Sequence, residues 1–317
     1  MGEASPAYWL GGEQIAQTRI GLEWISQMLD RRRDTDELRG LLDENLCAGS
    51  PLTLAARCAL DTALIDLLAR RRGIPMASML GGEAIDPVPV CALLTGRTPA
   101  ELAGEARIAA AQGHTSFKLK VGACATSEDA KMIASLRMAL GENFSIRLDA
   151  NRAWTLDQSE AALRAFQPYG IEFVEEPLRS PAPGDMRRLR QACGIALALD
   201  ESIADAVALG EFIEHDAADY LVVKAARVGG PTRCVELARL AQSAGIEVVL
   251  TDSIESAVGM SAAIHLASVL SRRGAGAGGV RLLSTVSSCG VEFPAVAQVI
   301  PAGPGLNVSA QAPGKSK

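Results

Sequence analysis

The sequence predicts an α/β fold, a TIM-type (β/α)7β barrel that follows a partial, mostly helical N-terminal capping domain. Short apolar runs alternate with amphipathic stretches at about 25 residues per unit, a pattern typical of parallel strands joined by right-handed helical crossovers. At least seven such units can be counted, more than an open sheet ordinarily needs. The 317 residues also fit the size, because a barrel of about 250 residues leaves room for a modest extra domain.

The apolar runs predict the strands of the barrel. They are Val88–Leu93, Ser116–Val121, Phe144–Leu148, Ile171–Val174, Ile195–Leu199, Tyr220–Val223 and Glu247–Leu250. Helical patterns lie between them, at Glu128–Leu140, Thr155–Phe166, Pro231–Ala244 and Val258–Leu270. Thr155 and Asp157 are residues that start helices, and Gly245 is a typical residue to end one.

The N-terminal part has a different character. From about residue 11 to residue 82 the pattern is helical, and the stretch Leu52–Arg72 stops before Gly73 and Pro75, as helices usually do. We therefore predict a partial capping domain at residues 1–86, a barrel at 87–290, and a C-terminal segment, 291–317, that returns to the capping domain.

Composition excludes several classes of protein. A net charge of −6 provides no basic excess to neutralise nucleic acid phosphates, although it leaves a small anionic ligand open. The seven cysteines include no CxxC pair, so neither a disulfide framework nor a zinc-thiolate site is expected. No signal peptide and no apolar run of about 18 residues are present, which predicts a cytoplasmic protein without a membrane partner. The oligomeric state is left open.

Charged residues follow the predicted strands. Lys118 and Lys120 share one face of the second strand, because side chains alternate along a strand. The next three strands end in acids and the sixth ends in a lysine. The residues at these ends are Asp149, Glu175 with Glu176, Asp200 with Glu201, and Lys224. Strand ends at the carboxyl side of a barrel are where such enzymes build their sites.

Three carboxylates on neighbouring strands would repel one another strongly without a cation. Oxygen ligands with room for water and a substrate carboxylate describe a site for Mg²⁺, or equally Mn²⁺. A cation bound to a carboxylate stabilises the charge that develops when the adjacent proton leaves, and lysines on either side can act as bases. The pattern thus indicates proton abstraction alpha to the carboxylate of a small-molecule substrate, a pairing known for the enolase superfamily.

These motifs resemble the muconate lactonizing subgroup of the enolase superfamily. The likeness rests on the KxK pair, the EEP and DES steps, the late lysine, the ALDTALIDLLARRRGIP stretch and the terminal GPGL at residues 303–306. The phrase RLDANRAW at Arg147–Trp154, followed by EFVEEPL, resembles the o-succinylbenzoate synthases within that subgroup.

The resemblance implies a role for each residue of the site. Asp149, Glu175 and Asp200 would bind Mg²⁺ or Mn²⁺, and Lys120 would remove the alpha proton. Lys224 would stabilise the anionic intermediate from the other side, Lys118 would tune Lys120, and Asn151 and Glu201 would support them. The implied reaction is dehydration of 2-succinyl-6-hydroxy-2,4-cyclohexadiene-1-carboxylate to o-succinylbenzoate, a lyase step of menaquinone or phylloquinone biosynthesis.

Two alternatives stay open at this point: a racemase of N-succinylamino acids or epimerase of dipeptides, and a barrel that binds ligand without turnover because its cap is incomplete. The second arises because Met1–Pro6 resembles the step that closes an N-terminal sheet in the family, and the strands before it have no counterpart here. Ala225 also replaces the usual proline after Lys224.

Three further residues are predicted to contact the substrate. They are Gly229, Ser253 and Glu255, which follow the sixth and seventh strands. Glu255 has an alternative role as a structural acid at the start of a helix.

Overall fold

The computed structural model describes residues 1–6, 12–31, 50–81, 88–270, 282–284, 298–301, 303–306 and 308–310, with single residues at 37, 40 and 42. Seven parallel strands, each hydrogen-bonded to the next in chain order, form the centre of the fold. They are β1 (Val88–Leu94), β2 (Ser116–Lys120), β3 (Ser145–Asp149), β4 (Ile171–Glu175), β5 (Ala196–Leu199), β6 (Tyr220–Lys224) and β7 (Glu247–Thr251).

The curled sheet meets itself through an eighth parallel strand. Strand β8 (Leu282–Ser284) pairs with β7 on one side and with β1 on the other. Two short antiparallel strands, β9 (Gln298–Pro301) and β10 (Val308–Ala310), extend from the beginning of β1. Ordered parallel strands that close in this way are what a barrel of β/α units requires.

Helices connect the strands and precede them. The cap helices are α1 (Ile15–Arg31), α2 (Leu54–Arg72) and the short α3 (Met76–Met79). The others are α4 (Pro99–Ala111), α5 (Thr126–Leu140), α6 (Leu156–Phe166), α7 (Pro183–Cys193), α8 (Ala206–Glu214), α9 (Ala225–Val228), α10 (Pro231–Ser243) and α11 (Ala257–Leu270). None of the helices in the described ranges is long and apolar enough to cross a membrane.

Local signals explain where the helices begin and end. The Thr155 side chain accepts from the Gln158 amide while the Gln158 side chain accepts from the Thr155 amide, which is a complete capping box at the start of α6. Helix α2 begins after Thr53, whose side chain accepts from the Ala56 amide, and ends at Gly73, whose φ of 67° suits a residue without a side chain.

Alternation along the strands divides the core into two layers. Phe117, Ile146 and Val174 face the helices and belong to the large outer core. The opposite face points into the barrel, where Phe173 and Val222 pack with neighbours from β5 and β7. Arg147 is also inside, with its guanidinium 5.0 Å from the centre of the Phe173 ring. These side chains fill the barrel below the strand ends.

The cap helix α2 docks on the turn between α9 and α10, after β6. The Asp61 carboxylate accepts from both the backbone N–H (2.9 Å) and the hydroxyl (2.8 Å) of Thr232. Arg57 donates to the carbonyl of Gly229 in the same contact. A buried carboxylate and guanidinium therefore fix α2 beside the strand ends of the barrel.

The predicted α/β class and all seven predicted strands are confirmed, and the observed strand ends differ from the predicted ones by at most one residue. The four predicted helices are confirmed to within two residues. The boundaries at residues 86 and 290 stay predictions, and most of the segment 291–317 lies outside the described residues.

Candidate active site

The registers of the central strands bring the predicted residues together. Lys120 is the register partner of Asp149, and Asp149 is the partner of Glu175. Glu175 pairs in turn with Ala198, so Asp200 lies two residues further along the chain, just beyond the end of β5. Adjacent side chains on one face of a sheet lie about 5 Å apart. The acids of β3, β4 and β5 are therefore neighbours at one end of the barrel.

Lys118 lies between two of these acids. Its Nζ is 2.8 Å from Asp149 Oδ2 and 2.7 Å from Glu175 Oε2, and all three side chains are buried. Burial alone would lower the pKa of Lys118, but the charges of Asp149 and Glu175 outweigh it and raise the pKa above its usual value. Lys118 thus remains an ammonium that contacts both carboxylates directly.

Lys224 makes the equivalent contact on the other side. Its ammonium donates to Asp200 Oδ2, and both side chains are largely buried. Burial opposes ionisation of both groups, yet the mutual attraction lowers the pKa of Asp200 and raises that of Lys224. Lys118 of β2 and Lys224 of β6 therefore contact the acids from opposite sides, whereas Lys120, the predicted base, donates to Asn151.

A chain of hydrogen bonds runs from Lys120 across the loops. Lys120 Nζ donates to Asn151 Oδ1 at 2.9 Å, and Asn151 Nδ2 donates to Glu201 Oε1 at 2.9 Å. The backbone N–H of Asn151 also donates to Asp149 Oδ1 at 3.1 Å. Asn151 has a φ of 42°, a region that non-glycine residues rarely occupy and that is common at functional sites.

Burial and neighbouring acids disfavour the ionised forms of Glu175 and Glu201. Burial, followed by repulsion from Asp149, raises the pKa of Glu175 well above its usual value. Burial and the nearby Asp200 likewise raise the pKa of Glu201. One oxygen of each carboxylate, Glu175 Oε1 and Glu201 Oε2, is buried without a hydrogen-bond partner. A buried acceptor of this kind is costly unless another group satisfies it.

These residues fit a divalent cation. Three acids on adjacent strands and a buried, unpartnered carboxylate oxygen on Glu175 supply the hard oxygen ligands that Mg²⁺ and Mn²⁺ prefer. Within the described ranges, however, no three His, Cys, Asp or Glu side chains are arranged so that they could hold a metal ion as they stand. Lysine ammonium groups contact the acids instead.

Glu176 has a place in this site that the sequence analysis did not assign. It is fully buried, and its carboxylate accepts from the backbone N–H groups of Asp200 (2.9 Å) and Ser202 (2.7 Å). It also accepts from the Ser202 hydroxyl at 2.9 Å and from Arg152 Nε at 3.3 Å. The only signal in the sequence was its position beside Glu175 in the EEP step.

The structure places the three predicted substrate contacts in different surroundings. Gly229 lies against the cap helix, where Arg57 contacts its carbonyl. The Ser253 amide donates to Glu255 Oε2 at 2.6 Å, and the Ser253 hydroxyl is buried without a partner. Glu255 is buried, and this burial together with the charge of Asp252 raises its pKa to about 8. Glu3 occupies the start of α11 instead, accepting from the Gly259 amide.

Known proteins are similar to this chain in sequence. A chloromuconate cycloisomerase of Cupriavidus necator, CbnB, is 30% identical over 235 residues, which cover 74% of this chain and 62% of that enzyme. An N-succinyl-L-Arg/Lys racemase of Bacillus cereus is 30% identical over 254 residues, covering 80% of this chain and 64% of the racemase. The chain thus spans less than two thirds of the length of these two relatives.

Solved structures show the same fold. The dipeptide epimerase of Enterococcus faecalis V583 superposes with a TM-score of 0.82 at 25% identity, covering 97% of this chain and 90% of the epimerase. A second structure of that epimerase contains Mg and the dipeptide L-Leu-L-Tyr, and superposes with a TM-score of 0.84 at 24% identity, covering 97% of this chain and 87% of the epimerase. The family model described as enolase C-terminal domain-like matches residues 101–311. The chain belongs to the enolase superfamily.

Proposed function

We propose that this chain is an enzyme that moves a proton at the carbon alpha to a substrate carboxylate, with a Mg²⁺ or Mn²⁺ ion held by Asp149, Glu175 and Asp200. The observation that supports this most directly is the order of charges across the strand ends. Lys120 on β2 and Lys224 on β6 lie on the two sides of the three acid-bearing strands β3–β5. A planar intermediate between them would have one amine over each face.

The bound cation would neutralise the charge that develops on the substrate carboxylate as the proton leaves. Lys120, oriented by Asn151, removes the alpha proton in its neutral amine form. Lys224 faces the opposite side and stabilises the negative charge, or donates a proton there. Lys118 stays charged between Asp149 and Glu175 and keeps the two acids close.

Dehydration to o-succinylbenzoate is one reaction that this site supports. In that reaction the C–H bond alpha to the carboxylate breaks, Lys120 holds the proton, and the same proton leaves with the hydroxyl group as water. The RLDANRAW phrase at Arg147–Trp154 favours this reaction over the others in the subgroup.

Racemisation or epimerisation is the second candidate, and relatives with these activities support it. An N-succinyl-L-Arg/Lys racemase is among the similar proteins, and a dipeptide epimerase is among the similar structures. In that reaction one lysine removes the proton from one face and the other lysine returns a proton to the opposite face. Both lysines then exchange protons with solvent.

The experiment supplies the purified chain and Mg²⁺ with three substrates in separate assays in D₂O: the cyclohexadiene carboxylate, N-succinyl amino acids of both configurations, and dipeptides. Loss of water to give the aromatic product supports the dehydratase. Deuterium incorporation into both enantiomers, followed by NMR, supports the racemase or epimerase. Metal-dependent binding without exchange or product from any substrate would contradict the proposed enzyme and leave a ligand-binding barrel.

A further inference from the structure

Glu176 connects the ends of three strands behind the acids. Strand β4 ends at Glu175, and a φ of 43° at Glu176 turns the chain at this step. Its backbone amide donates to the Ala198 carbonyl, and its carbonyl accepts from the Arg152 amide at 2.7 Å. Through its backbone, Glu176 therefore already connects the end of β4 to the chain that follows β3 on one side and to β5 on the other.

The Glu176 side chain strengthens the same connection. One carboxylate oxygen accepts from the backbone amides of Asp200 and Ser202, beyond the end of β5. The other accepts from the Ser202 hydroxyl and from Arg152, beyond the end of β3. Four donors converge on one buried carboxylate. Hydrogen bonds to an ionised acceptor are shorter and stronger than those between neutral groups.

We propose that Glu176 is a positioning residue for the cation: its carboxylate fixes the spacing of Asp149, Glu175 and Asp200. The inference depends on the proposed function only in that a divalent cation binds there. Asp200 matters most, because its own backbone amide is one of the four donors. A metal-binding residue whose backbone N–H donates to a buried carboxylate has little freedom to move away from the other metal-binding residues. Partners behind metal ligands commonly change metal affinity about ten- to a hundredfold when replaced.

Glutamine at position 176 would keep the shape of the side chain but could not accept all four hydrogen bonds. Its amide has one acceptor oxygen, and its NH₂ group would face N–H and O–H donors. At least one of the four hydrogen bonds must therefore break. The loops would separate slightly without any change in the three acids themselves.

A matched control lies at the opposite end of β5. Asp219 accepts from the Leu197 amide at 2.9 Å and from Arg190 Nε at 2.8 Å. It fixes the beginning of the same strand that Glu176 fixes at its end. Asp219→Asn thus tests whether a general loss of stability weakens cation binding.

The measurement is the dissociation constant of Mn²⁺, from titration of the free-ion EPR signal, with urea unfolding of each variant alongside. We expect Glu176→Gln to weaken Mn²⁺ binding at least tenfold and Asp219→Asn to leave it within about twofold. Unchanged affinity in Glu176→Gln, or equal losses in both variants, would overturn the inference. If Glu176→Gln does not fold, Ser202→Ala replaces it, with a loss of at least threefold expected and an unchanged affinity again contradicting the inference.

Failure of the proposed function gives a different result. If the unsubstituted chain does not bind Mn²⁺ at millimolar concentrations, the cation site itself is absent, and both proposals are wrong. If it binds Mn²⁺ but moves no proton in the substrates above, the role of Glu176 is still tested by the affinities.

Discussion

Lys120 and Asn151 are joined by a 2.9 Å hydrogen bond from the ammonium to the amide oxygen, although 31 residues separate them in the chain. The Asn151 NH₂ group is in turn held by Glu201. The amide can therefore present only its oxygen to Lys120. The two hydrogen bonds of the Asn151 side chain therefore fix the orientation of the Lys120 amine at the end of the barrel that carries the acids.

Removing that hydrogen bond should slow proton transfer without removing the cation. We expect Asn151→Leu to lower kcat about ten- to a hundredfold, because the amine loses its orientation. The measurement is the rate of solvent deuterium exchange at saturating substrate, with Mn²⁺ affinity measured in parallel. An unchanged exchange rate would show that Asn151 does not orient Lys120.

Replacing Lys120 itself should separate chemistry from metal binding. We expect Lys120→Ala to abolish alpha-proton exchange and to keep the Mn²⁺ dissociation constant within about twofold, since Lys120 contacts none of the three acids in the described structure. Lys131→Ala, a change on the exposed side of α5, is the control. Full activity in Lys120→Ala would disprove its assignment as the base.

Glu255 should make the protein less stable as the pH rises. The unfolded chain releases this proton near pH 4.5, whereas the folded protein keeps it until about pH 8, because burial and then Asp252 raise its pKa. Between these values the folded state binds more protons, so the free energy of unfolding falls by up to about 1.4 kcal/mol per pH unit.

Glu255→Gln removes this titration. The stability of the variant relative to the unsubstituted chain, measured by urea unfolding, should therefore increase steadily from pH 5 to pH 8. A difference that does not change with pH would mean that Glu255 is ionised in the folded protein.

The contact between Gly230 and Asp61 should be intolerant of a side chain. A Cβ at Gly230 would lie 2.5 Å from Asp61 Oδ2, and its φ is 125°. We expect Gly230→Ala to lower the free energy of unfolding by about 3 kcal/mol, through backbone strain and the displaced Asp61 hydrogen bonds.

Gly245→Ala is the comparison variant for a glycine of positive φ that has no such contact. Gly245 also has a positive φ, 78°, but nothing lies within 4 Å of a Cβ built there. This variant should lose only about 1 kcal/mol. Equal losses at the two positions would show that Asp61 does not resist the change.

The barrel strands and the acids at their ends were predictable because both depend on local order. A period of two along β2 places Lys118 and Lys120 on one face, and repeated β/α units bring successive strand ends together. The set of lysines and acids follows from those two regularities alone.

The contacts of individual side chains were not predictable. Lys118 was expected to tune Lys120, yet in the structure it bridges Asp149 and Glu175, which depends on the registers of three strands. Likewise, nothing near Gly229 in the sequence indicates the distant helix residue Arg57 that contacts it. The contacts of Glu176 were not predictable either, because β4 ends just before it and a φ of 43° redirects its side chain.

Inside the barrel, Phe173 and Val222 are packed together beneath the acids. These side chains fill the barrel below the acids, so we expect substrate and product to enter and leave at the end where β2–β6 end. That end of the barrel borders the first turns of α2. Any descendant of this protein that adopts a new substrate would therefore change its loops and cap, while the plug below could stay as it is.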